Sequence, residues 1–156
     1  MNSTSAVRSA NMRAIRSKDT KPELQVRRLA HAMGLRFRLH RSDLPGKPDL
    51  IFPRHRLVLF VHGCFWHGHG CKRGGRGPKS NTDYWGPKIE RTRARDASAQ
   101  QDLETLGWRV AVVWECELTD SEWIRSRIRA AIFDAALSTA KTGNPAEAMA
   151  KVSVRC

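Results

Sequence analysis

Between positions 62 and 71 the chain reads His-Gly-Cys-Phe-Trp-His-Gly-His-Gly-Cys. Cys64 and Cys71, with His67 and His69 between them, crowd soft donors into one short segment. Structural zinc takes four tetrahedral nitrogen or sulfur ligands in a closed site. Cys64, Cys71 and one of the two histidines supply three. The fourth must come from elsewhere, and Cys116, just past an apolar run, is the candidate. Gly63, Gly68 and Gly70 permit the tight backbone that chelation over so short a span requires. The competing reading makes Cys64 and Cys116 ordinary core thiols. Cys156, at the end of the chain, is not expected to be a ligand.

A second group carries hard-ligand and proton-transfer chemistry. Pro45-Gly46-Lys47-Pro48-Asp49 sets a carboxylate at the mouth of a strand, where Pro48 holds the chain extended. Alone, this common dipeptide reads first as a turn-capping Asp. A carboxylate there, followed by a hairpin, also resembles the PD-(D/E)XK nucleases, in which a strand-borne Asp binds Mg²⁺ beside the scissile phosphate. Their acid and lysine on the next strand are missing, because Leu59-Phe60-Val61-His62 has neither. Histidine is the natural substitute for proton transfer near neutral pH, and His62 and His67 are nearby.

These residues need elements to position them. Thr20-Lys21-Pro22-Glu23 predicts a capped helix with Leu24, Leu29, Ala30 and Met33 on its apolar face and Gly34 as its stop. Leu35–His40 alternates as a half-exposed strand should. Asp49–Phe52 and Arg56–Val61 predict a hairpin around Pro53-Arg54-His55. Residues 62–88 read as a long loop, which inside a small domain calls for a metal or a function. Ile89–Leu106 suits a charged helix ended by Gly107, and Trp108–Trp114 a buried strand. Thr119-Asp120-Ser121-Glu122 predicts a second capping box, opening a helix with Ile124, Ile128, Ala131, Ile132 and Ala135 inside. This order implies a single α/β domain with a mixed central sheet flanked by helices. The domain is expected at 1–137, with 1–19 as its N-terminal segment and 138–156 as a weakly structured tail.

The chain has 156 residues, 40% hydrophobic, with a formal net charge of +13. That hydrophobic share excludes broad disorder. The charge predicts a polyanionic partner. It is spread: residues 1–48 carry eleven Lys or Arg against three acids, and 72–95 carry eight against two. No basic amphipathic helix with a large apolar face stands out, which argues against a membrane surface. No apolar run approaches the ~18 residues of a membrane span. The N-terminus lacks the apolar centre of a secretory signal. A cytoplasmic protein is the expectation, and there cysteines suit metals or free thiols better than disulfides.

Four collinear motifs then resemble one family, the very short patch repair (Vsr) endonucleases. They are Asn11-Met-Arg-Ala-Ile15, Pro45–Asp49, His62–Cys71 and Leu106–Cys116. The resemblance implies a restriction-endonuclease-like core and a monomeric enzyme acting on double-stranded DNA with a T:G mismatch left by 5-methylcytosine deamination. It implies nicking 5′ to the mismatched T, with mismatch-repair proteins and a repair polymerase as partners. By resemblance, Asp49 and the backbone carbonyl of Val61 hold Mg²⁺. His67 is the general base or positions the attacking water, Asp96 orients it, with Asp102 as the alternative, and Glu23 and His62 support them. The Zn²⁺ ligands are Cys64, His69, Cys71 and Cys116, although a swap of His67 and His69 stays open. Phe65, Trp66 and Trp85 wedge into the base stack, with Met12 entering from the minor groove, against a reading of Phe65 as loop packing. The alternatives are a PD-(D/E)XK nuclease cutting matched duplex, and a zinc-stabilised DNA-binding protein without catalysis.

Overall fold

The computed structural model describes residues 18–72, 74, 75, 77 and 80–133. Met12, most of the expected N-terminal segment and the 138–156 tail lie outside the described residues.

Helix α1 (Lys21–Ala32) opens as the sequence dictates. The Thr20 hydroxyl accepts the Glu23 N–H at 3.4 Å and donates to Glu23 Oε1 at 3.0 Å, while Glu23 Oε2 accepts the Asp19 N–H. Gly34, at φ +73°, turns the chain out of the helix, and the Leu35 N–H returns to the Ala30 carbonyl. The inner stripe differs in one member. Val26 is fully buried and Leu24 is exposed, because Leu24 lies about 200° from Val26 around the helix.

The hairpin forms from β1 (Leu50–Phe52), a 3₁₀ turn (Pro53–His55) and β2 (Leu57–His62). Leu50 pairs with Leu59 and Phe52 with Leu57, antiparallel. The Leu35–His40 run is not a strand of the sheet. Only Arg38 pairs, through two backbone hydrogen bonds to Ile51. Its partner strand is three residues long, so the ladder runs out.

β3 (Arg109–Trp114) joins β2 in parallel, from Leu57 opposite Arg109 to His62 opposite Trp114, giving a mixed sheet of order β1-β2-β3. A parallel pair needs a crossover, supplied here by helix α2 (Thr82–Thr105). This helix starts seven residues before the expected Ile89 and runs through Gly86-Pro87, which reads as a breaker in sequence. Packing of Trp85 against Phe65 and Trp66 favours the early start. The last cap also shifts. Thr119 closes a 3₁₀ turn (Glu115–Thr119), so the Asp120 carboxylate accepts the Trp123 N–H at 3.0 Å and opens α3 (Ser121–Phe133). Ile124 and Ile128 are buried, with Ala131 and Ile132 packed beside them; Ala135 lies outside the described residues.

Alternation along the strands sorts the core onto two faces. Leu50, Phe52, Leu57 and Leu59 meet α1 and α3 through Val26, Ile124 and Ile128. Ile51, Val58 and Phe60 face the other way, toward Leu103 of α2 and Trp108. Helices therefore cover both faces of the sheet, and the ends of β2 and β3 carry the chemistry.

Candidate active site and metal centre

Asp49 sits one residue before β1, anchored by its own N–H to the Leu59 carbonyl at 3.1 Å. Its Oδ2 accepts the Val61 N–H at 2.6 Å. Burial raises its pKa from an ordinary 3.8 to about 7; the Val61 hydrogen bond opposes the rise, and the Glu23 charge adds to it. No described side chain makes an ion pair with this carboxylate. A half-buried carboxylate with no ion-pair partner is a fitting ligand for a hard divalent ion.

A cavity of about 810 Å³ gathers Glu23 from α1, Asp49, His62, His67 and Asp96 around one space. His67 Nδ1 lies 2.5 Å from Asp96 Oδ2. Because a carboxylate only accepts, Nδ1 carries the proton and Nε2 keeps its lone pair. Asp102, the alternative partner, does not line this cavity. The His62 and His67 rings stack in parallel with centroids 3.8 Å apart. Burial, with the neighbouring His67, depresses the His62 pKa to about 3, so His62 is neutral at physiological pH.

The soft donors separate from this group. One donor atom each from Cys64, His69, Cys71 and Cys116 lies within 4.8 Å of all the others. Tetrahedral ligands about 2.3 Å from a zinc ion lie about 3.8 Å apart, so the cluster accommodates the ion with small adjustment. Cys116 Sγ is 3.6 Å from His69 Nδ1. Burial pushes the Cys64 thiol pKa up, a penalty that a bound cation would remove. The residues thus fit a metal of the zinc type, and the geometry brings His69, not His67, to the cysteines.

Trp114 links the two groups. His69 stacks on its indole at 4.1 Å, while His62 meets it edge-on at 5.2 Å. Sequence reading treated Trp114 only as a strand end. It also gave no role to Lys47, Gln100 and Glu115, which line the main cavity together with Arg95. Gln100 follows Asp96 by four residues, one helical turn along the same face, a signal available once Asp96 is placed. Phe65, Trp66 and Trp85 form a mutual edge-to-face cluster with centroids 5.2–5.6 Å apart. The Lys88 ammonium lies 5.1 Å from the Trp85 ring centroid and 6.0 Å from that of Trp66.

A carboxylate at the mouth of β1, a His–Asp pair and a positively charged chain fit a phosphodiester-cleaving hydrolase. Comparison with known proteins makes the class specific. The family model "DNA mismatch endonuclease Vsr" matches residues 2–73. The type II nicking enzyme V.XorIIP of Xanthomonas oryzae is 62% identical over 118 residues, 76% of this chain and 86% of that protein. The DNA mismatch endonuclease Vsr of Escherichia coli is 44% identical over 117 residues, 75% of this chain and 74% of that protein. Among solved structures, the catalytic domain of the homing endonuclease I-Bth0305I aligns with a TM-score of 0.49 at 18% identity, over 72% of this chain and 94% of that one; the assignment does not rest on it. The chain belongs to the Vsr DNA mismatch endonuclease family. It is a DNA endonuclease of mismatch repair. No helix among the described residues is long and apolar enough to cross a membrane.

Proposed function

We propose that this enzyme nicks one strand of duplex DNA 5′ to the T of a T:G mismatch arising from 5-methylcytosine deamination, and so initiates short-patch repair. The observation that carries the catalytic part is the His67–Asp96 pair sharing one cavity with the half-buried Asp49. Asp49, with the Val61 carbonyl beside it, would hold Mg²⁺, which when bound would supply charge neutralisation at the scissile phosphate. His67 Nε2 takes the proton of the attacking water, while Asp96 keeps the useful tautomer and balances the imidazolium that forms. Neutral His62 holds the His67 ring by stacking and does not compete for the proton. Glu23, buried and fixed by Thr20, Asp19 and Arg27, lines the cavity and supports the site beside Asp49. Hydrolysis forms one P–O bond from water and breaks one in the backbone.

Zinc held by Cys64, His69, Cys71 and Cys116 ties the 62–72 segment to the end of β3. The Phe65, Trp66 and Trp85 cluster, with Met12, enters the base stack at the mismatch, where unstacking costs less than in matched duplex. The enzyme works as a monomer in the bacterial cytoplasm, on the nucleoid, upstream of a repair polymerase and alongside mismatch-repair proteins. The test uses a duplex labelled on both strands, with Mg²⁺. A single product ending 5′ to the mismatched T supports the proposal. Cleavage of both strands, or of matched duplex at equal rate, would overturn it.

A further inference from the structure

The main cavity has a smaller neighbour. A space of about 240 Å³ is lined by Lys18, Arg27, His40, Arg41 and Lys47, with Glu23 and Asp49 on its inner wall. Glu23, Lys47 and Asp49 line both spaces, so the two meet at Asp49. Not all of this positive charge is free. Arg27 bonds Asp19 at 2.6 Å and Glu23 at 3.3 Å, and Arg41 pairs with Asp43. Lys18 and Lys47 make no ion pair among the described residues.

Lys47 is also held in an unusual place. Its φ is +50°, in the left-handed region that a lysine adopts at a penalty, and the following Pro48 restricts it further. Gly46 before it is at φ +70°, and a Cβ there would lie 2.7 Å from the Ala99 Cβ on α2. The loop is therefore pressed onto α2, which fixes where Lys47 starts. Lys47 is exposed, so packing does not explain a long cationic side chain there.

We infer that this second cavity seats the DNA backbone phosphate next to the scissile one, with Lys47 as its main cationic contact and Lys18 beside it. This rests on Asp49 marking the scissile phosphate, as proposed above. Arg27 and Arg41, held by their own carboxylates, leave the unpaired positive charge of the wall to Lys18 and Lys47. Lys47, shared by both cavities, sets the register of the strand on Asp49. Phosphate contacts of this kind position a duplex without reading its sequence.

The test compares wild type with Lys47→Asn and Lys47→Arg. Asn tolerates the left-handed backbone better than Lys, so Lys47→Asn is expected to fold with equal or higher thermal stability. Binding is measured by fluorescence anisotropy without Mg²⁺ on T:G duplexes. One set carries a single neutral methylphosphonate at each phosphate around the cut in turn. Lys47→Asn is expected to bind about tenfold more weakly, and its slope of log affinity against log salt to be smaller by about 1, the signature of one lost phosphate contact. Wild type should lose a similar factor at one phosphate adjacent to the cut, and Lys47→Asn should lose nothing further there. Lys47→Arg should restore binding. Wild-type affinity and slope in Lys47→Asn, or equal further loss at every neutralised phosphate, would overturn the inference. A wild type that binds but does not nick T:G duplex would instead count against the proposed function, while the binding result still scores Lys47.

Discussion

Replacing Asp49 by Asn should separate activity from stability in opposite directions. The folded enzyme holds the Asp49 pKa at about 7, against 3.8 when the carboxyl is solvated. Below pH 3.8 both states are protonated and Asp49 has no effect. As pH rises toward 7, the unfolded chain releases the proton and the folded one keeps it, so stability declines. Above 7 the full penalty stands, and the difference between the two values corresponds to at most about 4 kcal/mol. The open cleft admits water, so we expect about 2 kcal/mol at pH 8. Asn is neutral, and its side-chain oxygen still accepts the Val61 N–H. The variant should therefore melt about 4–8 °C above wild type at pH 8 with divalent ions chelated by EDTA, taking roughly 2–4 °C per kcal/mol at this size. At pH 5 the gain should be smaller, because the folded carboxyl there keeps much of its proton. Adding Mg²⁺ should raise the wild-type Tm and leave the variant unmoved, because only the carboxylate binds the ion. Nicking should fall by about three orders of magnitude or more. Calorimetry at the two pH values decides it. A variant no more stable than wild type at pH 8, or a gain that persists unchanged at pH 5, refutes the picture of Asp49 as a carboxyl whose charge the fold disfavours in the absence of a cation.

Asp96→Asn should lower single-turnover nicking about 10²–10⁴-fold while leaving duplex affinity intact, since the His67 tautomer is lost but no DNA contact is removed; an unchanged rate would remove Asp96 from the mechanism. Purified enzyme should carry one zinc per chain by elemental analysis, and Cys116→Ala should lose both the metal and the thermal transition, in keeping with the roughly 10–16 kcal/mol that zinc supplies in isolated fingers. Nicking that survives proven zinc loss would contradict a structural role for the metal. Gly46→Ala adds a Cβ at 2.7 Å from Ala99 and 3.1 Å from the Phe60 ring at a positive φ, and should cost about 2–4 kcal/mol in urea unfolding.

The hairpin was readable because β1 and β2 are continuous apolar runs separated by a proline turn, and both faces of that sheet are buried. The Thr20–Glu23 cap and the Gly34 and Gly107 stops follow from local backbone chemistry alone, so sequence gives them directly. What failed depends on tertiary contact. Gly86-Pro87 reads as a breaker, yet Trp85 packing extends α2 through it. The Leu35–His40 alternation is real, but strand formation needs a partner long enough to pair with, and β1 is not. In the site, the glycines at 68 and 70 leave just two histidines between the cysteines, and the fold divides them between two clusters. Trp114 and Lys47 escaped notice because neither residue type announces its role. Trp114 matters by lying between two histidine groups, and Lys47 by its backbone angle and the two cavities it borders.

The central claim is discrimination for T:G by a single Asp49-centred site. The most direct measurement is the single-turnover nicking rate with Mg²⁺ on two duplexes that differ only in T:G against T:A, for wild type and Asp49→Ala. Wild type should cut the T:G duplex at least about a hundredfold faster, the discrimination that a few kcal/mol of differential unstacking can supply, and Asp49→Ala should cut neither. Equal rates on the two duplexes, or activity surviving in Asp49→Ala, would contradict the claim.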